Sequence, residues 1–212
     1  MNKKKEGIPQ IKICGLTRDC DIDYVNEAFP DYIGFVFAHT RREISGRDAS
    51  RLRERTAEGI QAVGVFVDES QGRIEELLKI KAIDMVQLHG HEDAEYIKRL
   101  KERTGCCIIK AMHPGKKTEA DVYEQYQQAG VDYFLFDSSN QTQVGGTGRT
   151  FDWQLIPKVS RPWFLAGGLN IENVESAMEL QPYALDISSG VETEGYKDRE
   201  KILEMIRRIR NV

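Results

Sequence analysis

The sequence lacks the features that mark several large classes of protein. None of its apolar runs is long enough to span a membrane, and its N-terminus has no apolar segment like that of a signal peptide. The formal net charge is -4, so the sequence does not predict a broad basic face for nucleic acid. We therefore expect a cytoplasmic protein that binds neither membranes nor nucleic acid.

Cysteine is scarce and does not have the spacing of a disulfide framework. The chain has 4 cysteines, at positions 14, 20, 106 and 107, and two of them are adjacent. This usage fits a reducing compartment better than a secreted scaffold. No His, Cys and Asp residues follow one another at metal-ligand spacing, so we expect neither a metal nor a cofactor.

What the chain does contain is a repeated pattern of short β-branched, apolar runs. Their starts are separated by roughly 20 to 30 residues, as expected for successive strand–helix units. Most runs are continuously apolar, which is typical of strands covered on both faces. The eight predicted strands are Ile11–Cys14, Tyr32–Phe37, Ala62–Val67, Met85–Leu88, Cys107–Ala111, Tyr133–Asp137, Trp163–Ala166 and Ala184–Ser188.

Helical spacing of apolar residues appears between these strands. The predicted helix caps or starts are Thr17, Ser45, Ser70, Asp93, Thr118 and Asn170, and a short helix is predicted around Trp153–Ile156. About eight units predict a single-domain (β/α)8 barrel over residues 11–212, after a flexible tail at residues 1–10. An open doubly wound sheet is less favoured, because no Gly-x-Gly-x-x-Gly follows the first strand.

Cys14 lies where the first predicted strand ends and a loop begins. In a parallel α/β fold this is the side of the sheet that binds ligands. A thiol in that position can act as a base or nucleophile through its thiolate form. The alternative is a small, buried, apolar cysteine.

Polar side chains also follow other predicted strands. Asp137 comes after four apolar residues, and burial would raise the pKa of its carboxyl, as a general acid requires; it could instead cap a turn. Arg42 could bind a carboxylate with its guanidinium fork or belong to a solvated run with Arg41. His89 ends the fourth strand, where a lone histidine is more often structural or orienting than catalytic.

Two glycine turns after the last two strands predict a phosphate site. Gly167-Gly168 follows the seventh strand, and Ser189-Gly190 follows the eighth. Glycines let backbone N–H groups approach an anion, and these two loops form the frequent phosphate site of such barrels. The alternative is that these glycines only make tight turns.

Two further features stay open. Asp186 lies within the eighth strand, where it could support the site or belong to a polar layer of the barrel. The stretch Gly145-Gly146-Thr147-Gly148 could close over a ligand or be an ordinary surface loop.

Together these stretches resemble phosphoribosylanthranilate isomerases, from residue 11 to residue 192. Each stretch alone is weakly specific, but their joint order is highly specific. They are Lys12-Ile13-Cys14-Gly15-Leu16-Thr17, Gly34-Phe35-Val36-Phe37 with Arg42-Glu43-Ile44-Ser45, Val63-Gly64-Val65-Phe66-Val67, Gln87-Leu88-His89-Gly90, Phe136-Asp137-Ser138, Gly145-Gly146-Thr147-Gly148 with Thr150-Phe151-Asp152-Trp153, Leu165-Ala166-Gly167-Gly168-Leu169 with Asn173-Val174, and Asp186-Ile187-Ser188-Ser189-Gly190-Val191-Glu192.

The resemblance implies an Amadori rearrangement of N-(5'-phosphoribosyl)anthranilate in tryptophan biosynthesis. It places the family's general base on Cys14, whose pKa we expect to be lowered or matched to neutral pH, and its general acid on Asp137. Arg42 matches the arginine on the anthranilate side, and His89 is assigned to substrate binding. Gly167-Gly168 and Ser189-Gly190 match the phosphate site.

The sequence departs from the family pattern at two places. Glu43 follows Arg42 where the family more often has an aromatic residue, and we expect it to weaken the positive field near the substrate carboxylate. The loop at 193–198 lacks a frequent Pro-Gly, and we expect a rearranged loop there without loss of activity.

Other functions stay open at this level. A phosphoribosyl-imidazole isomerase usually pairs two aspartates, and an indole-glycerol-phosphate synthase needs a Lys/Glu set that is absent in register here. A phosphosugar-binding barrel without turnover would need neither Cys14 nor Asp137. The predicted partner is a small phosphorylated substrate, and the predicted state is a monomer or weak homodimer.

Overall fold

Eight parallel strands close into a barrel in the order of the chain, β1 to β8. The structure is a computed structural model that describes residues 7–113, 120–137 and 153–210. This closure confirms the predicted (β/α)8 fold and contradicts the open doubly wound sheet. The strands are β1 (Gln10–Cys14), β2 (Tyr32–Val36), β3 (Gln61–Phe66), β4 (Met85–Leu88), β5 (Cys107–Met112), β6 (Tyr133–Asp137), β7 (Trp163–Ala166) and β8 (Ala184–Ile187).

Helices connect the strands and cover the outside of the barrel. They are α1 (Asp19–Ala28), α2 (Gly46–Arg55), α3 (Gln71–Lys79), α4 (Ala94–Thr104), α5 (Ala120–Gln128), α6 (Val174–Glu179) and α7 (Arg199–Arg210), with short 3-10 helices at Trp153–Leu155 and Ser189–Val191. A small antiparallel hairpin, β9 (Glu192–Thr193) with β10 (Tyr196–Lys197), precedes α7. Within the described ranges, no helix has both the length and the apolar character needed to cross a membrane.

Some predicted helix starts are confirmed. The side chains of Ser45 and Asp93 accept hydrogen bonds from backbone N–H groups in the first turns of α2 and α4. Such bonds satisfy donors that the helix itself leaves unpaired. Ser70 occupies the cap position of α3 without a capping side-chain bond, and Thr118 lies outside the described residues.

The predicted cap at Thr17 is wrong by one residue, because the cap position of α1 is Arg18; the Asp21 carboxylate accepts from the backbone N–H groups of both Thr17 and Arg18. The prediction at Asn170 is confirmed in its hydrogen bonds, although the α-helix itself begins one turn later, at Val174. The amide oxygen of Asn170 accepts from the N–H groups of Glu172 and Asn173, and its carbonyl oxygen accepts from the N–H of Val174. These are the bonds that a helix cap makes.

The interior of the barrel is apolar at its lower end and polar above. An apolar cluster fills the lower part and, at Ala166, reaches the cavity at the mouth; its residues are Tyr32, Val63, Met85, Ile109, Ala111, Leu135, Phe164, Ala166 and Ala184. Lys12, Gln87 and Asp186 form a buried polar layer, at 0%, 1% and 8% exposure. Since strand side chains alternate in direction, Cys14 and His89, two positions beyond Lys12 and Gln87, face the same interior nearer the mouth.

Candidate active site

A cavity of about 410 Å³ opens at the end of the barrel where the strands terminate. That volume falls within the range of small-molecule sites, about 300–1,000 Å³. Seven of the predicted site residues line it: Cys14, Arg42, His89, Asp137, Gly167, Gly168 and Ser189. The remaining one, Gly190, lies outside this lining and packs behind it.

Cys14 ends β1 and is buried, at 8% exposure. It pairs with Gly34 of β2, where an added Cβ would come within 2.5 Å of the Cys14 Sγ atom. Glycine at that position therefore leaves the space that the thiol occupies. Burial raises the pKa of Cys14 above its ordinary value, while the charges of Lys12 and Lys197 act to lower it. The predicted lowering of this pKa is wrong, because desolvation of the thiolate outweighs both cations.

Asp137 ends β6, and its carboxylate meets His89. The Nε2 atom of His89 lies 3.3 Å from Oδ2 of Asp137, and the two side chains are 23% and 13% exposed. The carboxyl is therefore partly removed from water, as its position after an apolar strand predicts. Sequence reasoning missed the contact, because it joins the ends of two strands, β4 and β6, that are not neighbours in the barrel.

Arg42 is held at the cavity by a carboxylate of the protein itself. Its Nε and Nη2 atoms donate to the two oxygens of Glu192, at 2.8 and 2.9 Å. Arg41 and Lys197 also donate to Glu192, at 2.5 and 2.7 Å. Burial acts to raise the pKa of Glu192, but the bonds from Arg42 and Lys197 prevail and lower it to about 2.

Glu43 follows Arg42 in the chain, but the contact of its carboxylate is with a histidine. Its carboxylate instead pairs with the exposed imidazole of His39, at 2.9 Å. The carboxylate that modifies the field of Arg42 is Glu192. Glu192 belongs to the Ser-Ser-Gly-Val-Glu stretch that carries the family resemblance. The sequence does not show that Glu192 binds Arg42, because the two residues are 150 positions apart in the chain.

The turns after β7 and β8 pack against each other. Gly167 and Gly168 have φ angles of 90° and 66°, a conformation that favours glycine. A Cβ on Gly190 would lie 1.9 Å from the carbonyl oxygen of Leu169, so only glycine permits this approach. The two predicted phosphate turns therefore form one continuous wall. The Gly145–Gly148 stretch lies outside the described residues.

Sequence reasoning missed the buried polar layer beneath these residues. The Nζ atom of Lys12 donates to Gln87 and to Asp186, each at 2.7 Å. Although burial acts to lower it, the charges of Asp186 and Cys14 raise the pKa of Lys12, so the side chain is an ammonium. The sequence does contain a signal for this layer, since Lys12 is a charged residue between Ile11 and Ile13 in a predicted apolar strand.

Asp186 combines both roles that the sequence left open. It forms the ion pair with Lys12 inside the barrel and also lines the cavity. Its Oδ1 atom is buried and has no hydrogen-bond partner in the part of the chain that the structure describes. Over that same part, no three His, Cys, Asp or Glu side chains are arranged to hold a metal ion.

Comparison with known proteins identifies the family. Residues 11–208 match the family model described as N-(5'-phosphoribosyl)anthranilate (PRA) isomerase. The chain belongs to the PRA isomerase family. A PRA isomerase of Endomicrobium trichonymphae is 46% identical over 206 residues, which cover 97% of this chain and 100% of that protein. One from Clostridium acetobutylicum is 42% identical, with coverage of 95% and 98%.

Solved PRA isomerases share the fold. The crystal structure from Thermotoga maritima has a TM-score of 0.81 at 34% identity and covers 96% of this chain and 100% of that one. Another is a complex with reduced 1-(o-carboxyphenylamino)-1-deoxyribulose 5-phosphate, with a TM-score of 0.76, 32% identity and the same coverage. The family and the fold that the sequence resemblance predicted are thereby confirmed.

Proposed function

We propose that this protein isomerises N-(5'-phosphoribosyl)anthranilate to 1-(2-carboxyphenylamino)-1-deoxyribulose 5-phosphate, a step of tryptophan biosynthesis. The observation that carries the proposal is the meeting of Cys14 and Asp137 in one cavity, beside an arginine and two packed glycine turns. The bound compound of the solved relative, a carboxyphenylamino-deoxyribulose phosphate in reduced form, supports this choice of substrate class.

Asp137 is the general acid and Cys14 the general base of this proposal. Asp137 gives a proton to the furanose ring oxygen, and the ring opens to an imine. Cys14, as thiolate, then removes the C2' proton, and the resulting enolamine tautomerises to the ketone. The reaction moves protons within one molecule and leaves its oxidation level unchanged, so general acid–base catalysis suffices.

The walls of the cavity provide the charges and donors that such a substrate needs. Arg42 would bind the anthranilate carboxylate through guanidinium N–H groups other than the two that donate to Glu192. The turns containing Gly167, Gly168, Ser189 and Gly190 would bind the phosphate. His89 would contact the substrate from its position beside Asp137.

The proposal is tested by following the fluorescence of phosphoribosylanthranilate as the purified protein consumes it. Cys14→Ala and Asp137→Asn should each reduce kcat by on the order of 10²-fold or more while retaining affinity for a product analogue. Cys106→Ala, which alters a cysteine at the opposite end of the barrel, is the matched control and should keep the parent rate. The parent should show a bell-shaped pH dependence of kcat that belongs to the coupled pair.

Either of two results would overturn the assignment. Parent-like turnover by Cys14→Ala or Asp137→Asn would remove that residue from the mechanism. A parent protein that binds the product analogue but never consumes substrate would instead be a phosphosugar-binding barrel. The predicted cytoplasmic location and the predicted monomer or weak homodimer belong to the same proposal.

A further inference from the structure

Gln87 lies at the centre of a buried chain of hydrogen bonds that runs toward the proposed acid. Its Oε1 atom accepts from the Nζ atom of Lys12 at 2.7 Å. Its Nε2 atom lies 2.9 Å from the Nδ1 atom of His89. The Nε2 atom of His89 in turn lies 3.3 Å from the Oδ2 atom of Asp137. Gln87 is 1% exposed, so water does not compete for the two contacts of its amide.

Lys12 decides which atom donates and which accepts at each following contact. An ammonium can only donate, so the amide oxygen of Gln87 must face Lys12. The amide N–H₂ group is thereby turned toward His89, whose Nδ1 atom must accept. In a neutral imidazole the proton then resides on Nε2, which faces the Oδ2 atom of Asp137 at 3.3 Å.

We propose that Gln87 is a positioning residue that fixes His89 as the neutral Nε2–H tautomer directed at Asp137. The inference rests on the proposed function, in which Asp137 is the general acid. It also goes beyond that function, because it assigns to Gln87, which lines the cavity, a task that is carried out through His89. Lys12 acts through Gln87, since its charge sets the orientation of the amide.

The fixed tautomer determines which group keeps the acidic proton. An imidazolium at His89 would place an Nδ1–H donor against the N–H₂ donor of Gln87, leaving a buried donor unpaired. The imidazole therefore resists taking a proton from Asp137. The proton stays on the carboxyl group of Asp137, from which a substrate oxygen can receive it.

The other charged groups near His89 do not remove this constraint. Asp137 faces its Nε2 side, and the ring of His113, after β5, lies 5.9 Å away between centroids. Lys12 and Asp186 lie beyond Gln87 as a mutual ion pair. Only the amide of Gln87 meets the Nδ1 side at hydrogen-bond distance among the contacts of the described residues.

The first test is ¹⁵N NMR of the imidazole nitrogens in the intact parent protein. His89 should show a protonated Nε2 and an unprotonated Nδ1 at neutral pH. A spectrum with Nδ1 protonated at neutral pH would overturn the inference. This measurement needs no variant to fold.

The second test is Gln87→Glu, which keeps the shape and the bond from Lys12 but presents an acceptor to His89. The Nδ1 atom should then carry a proton, and imidazolium should form more readily. The limb of the kcat profile that belongs to the acid should move to lower pH, and kcat at its optimum should fall by on the order of 10-fold to 100-fold, with a smaller change in KM. Gln61→Glu, on the exposed lower end of β3, is the matched control and should change neither spectrum nor profile.

Failure of the inference and failure of the proposed function give different results. An unchanged spectrum and pH profile in folded Gln87→Glu would overturn the positioning role while turnover by the parent upheld the function. A parent that shows the predicted tautomer but no turnover would leave the tautomer assignment standing and overturn the function.

Discussion

Single carboxylates and cations decide the electrostatics at the mouth of the barrel. Glu192 is 5% exposed at its side chain and receives bonds from Lys197, 1% exposed, and from Arg42, 24% exposed. A buried carboxylate between several cations leaves the arginine fork oriented and the cluster still positive. The same Lys197 charge acts to lower the pKa of Cys14 against the larger effect of burial.

Glu192→Gln is expected to destabilise the fold and raise KM. It removes the counter-ion of a buried lysine, which costs about 3 kcal/mol in the free energy of unfolding near neutral pH. It also releases Arg42, so KM should rise more than kcat falls. Urea denaturation and steady-state kinetics would measure both effects, with Glu194→Gln on the same hairpin as an exposed control.

The stability difference between parent and Glu192→Gln should depend on pH. The carboxyl pKa falls from 4.5 to about 2 in the folded protein. A lowered pKa means that the stabilisation is fully present above 4.5 and is lost as the pH falls through about 2. A difference that stayed constant through this range would contradict the ion pairs as its source.

At the scale of elements, the turns after β7 and β8 are fitted to each other. The backbone of Gly190 contacts Leu169 so closely that a methyl group has no space. The hydroxyl of Ser188 also donates to the carbonyl oxygen of Cys14, at 3.0 Å, and ties the second turn to β1. Movement of one turn would therefore disturb both the predicted phosphate site and Cys14, the proposed base.

Gly190→Ala is expected to weaken binding of the phosphorylated substrate. The new methyl group must push the two turns apart, which should raise KM roughly tenfold and cost about 1–3 kcal/mol of stability. Inhibition by inorganic phosphate should weaken in parallel. Gly72→Ala, where an added Cβ meets nothing within 4 Å, is the control. An unchanged KM and phosphate inhibition in Gly190→Ala would place the phosphate elsewhere.

At the scale of the molecule, the barrel leaves few large apolar side chains in solvent among the described residues. Those that are at least 46% exposed lie on separate elements: Phe29, Val67, Ile80, Leu155 and Tyr196. A tight dimer normally buries a continuous, well-packed apolar surface. This distribution supports the proposed monomer or weak homodimer.

Sedimentation velocity over a wide range of concentrations would measure the oligomeric state. We expect the monomer to predominate at low concentration, with at most a reversible dimer as the concentration rises. A related enzyme from Thermotoga maritima is described as dimeric. A dimer that persists at the lowest measurable concentration would contradict the prediction.

The local pattern of the chain was enough to determine the fold and to place the candidate site at one end of the barrel. The apolar runs predicted all eight strands to within one residue at each end, because buried parallel strands require continuous apolar sequence. Barrel geometry then placed the residues after those strands at one mouth. The start of α1 was less predictable, since the Asp21 carboxylate accepts from the backbone N–H groups of Thr17 and Arg18 and the cap position moves to Arg18.

Only the tertiary structure decided how these residues act on one another. The chain order does not show that Glu192 holds Arg42, that His89 meets Asp137, or that Lys12 directs Gln87. These contacts join distant parts of the chain, and their directions depend on which atoms burial brings to hydrogen-bond distance. The raised pKa of Cys14 has the same origin, because desolvation is set by the packing around a side chain and not by its neighbours in sequence.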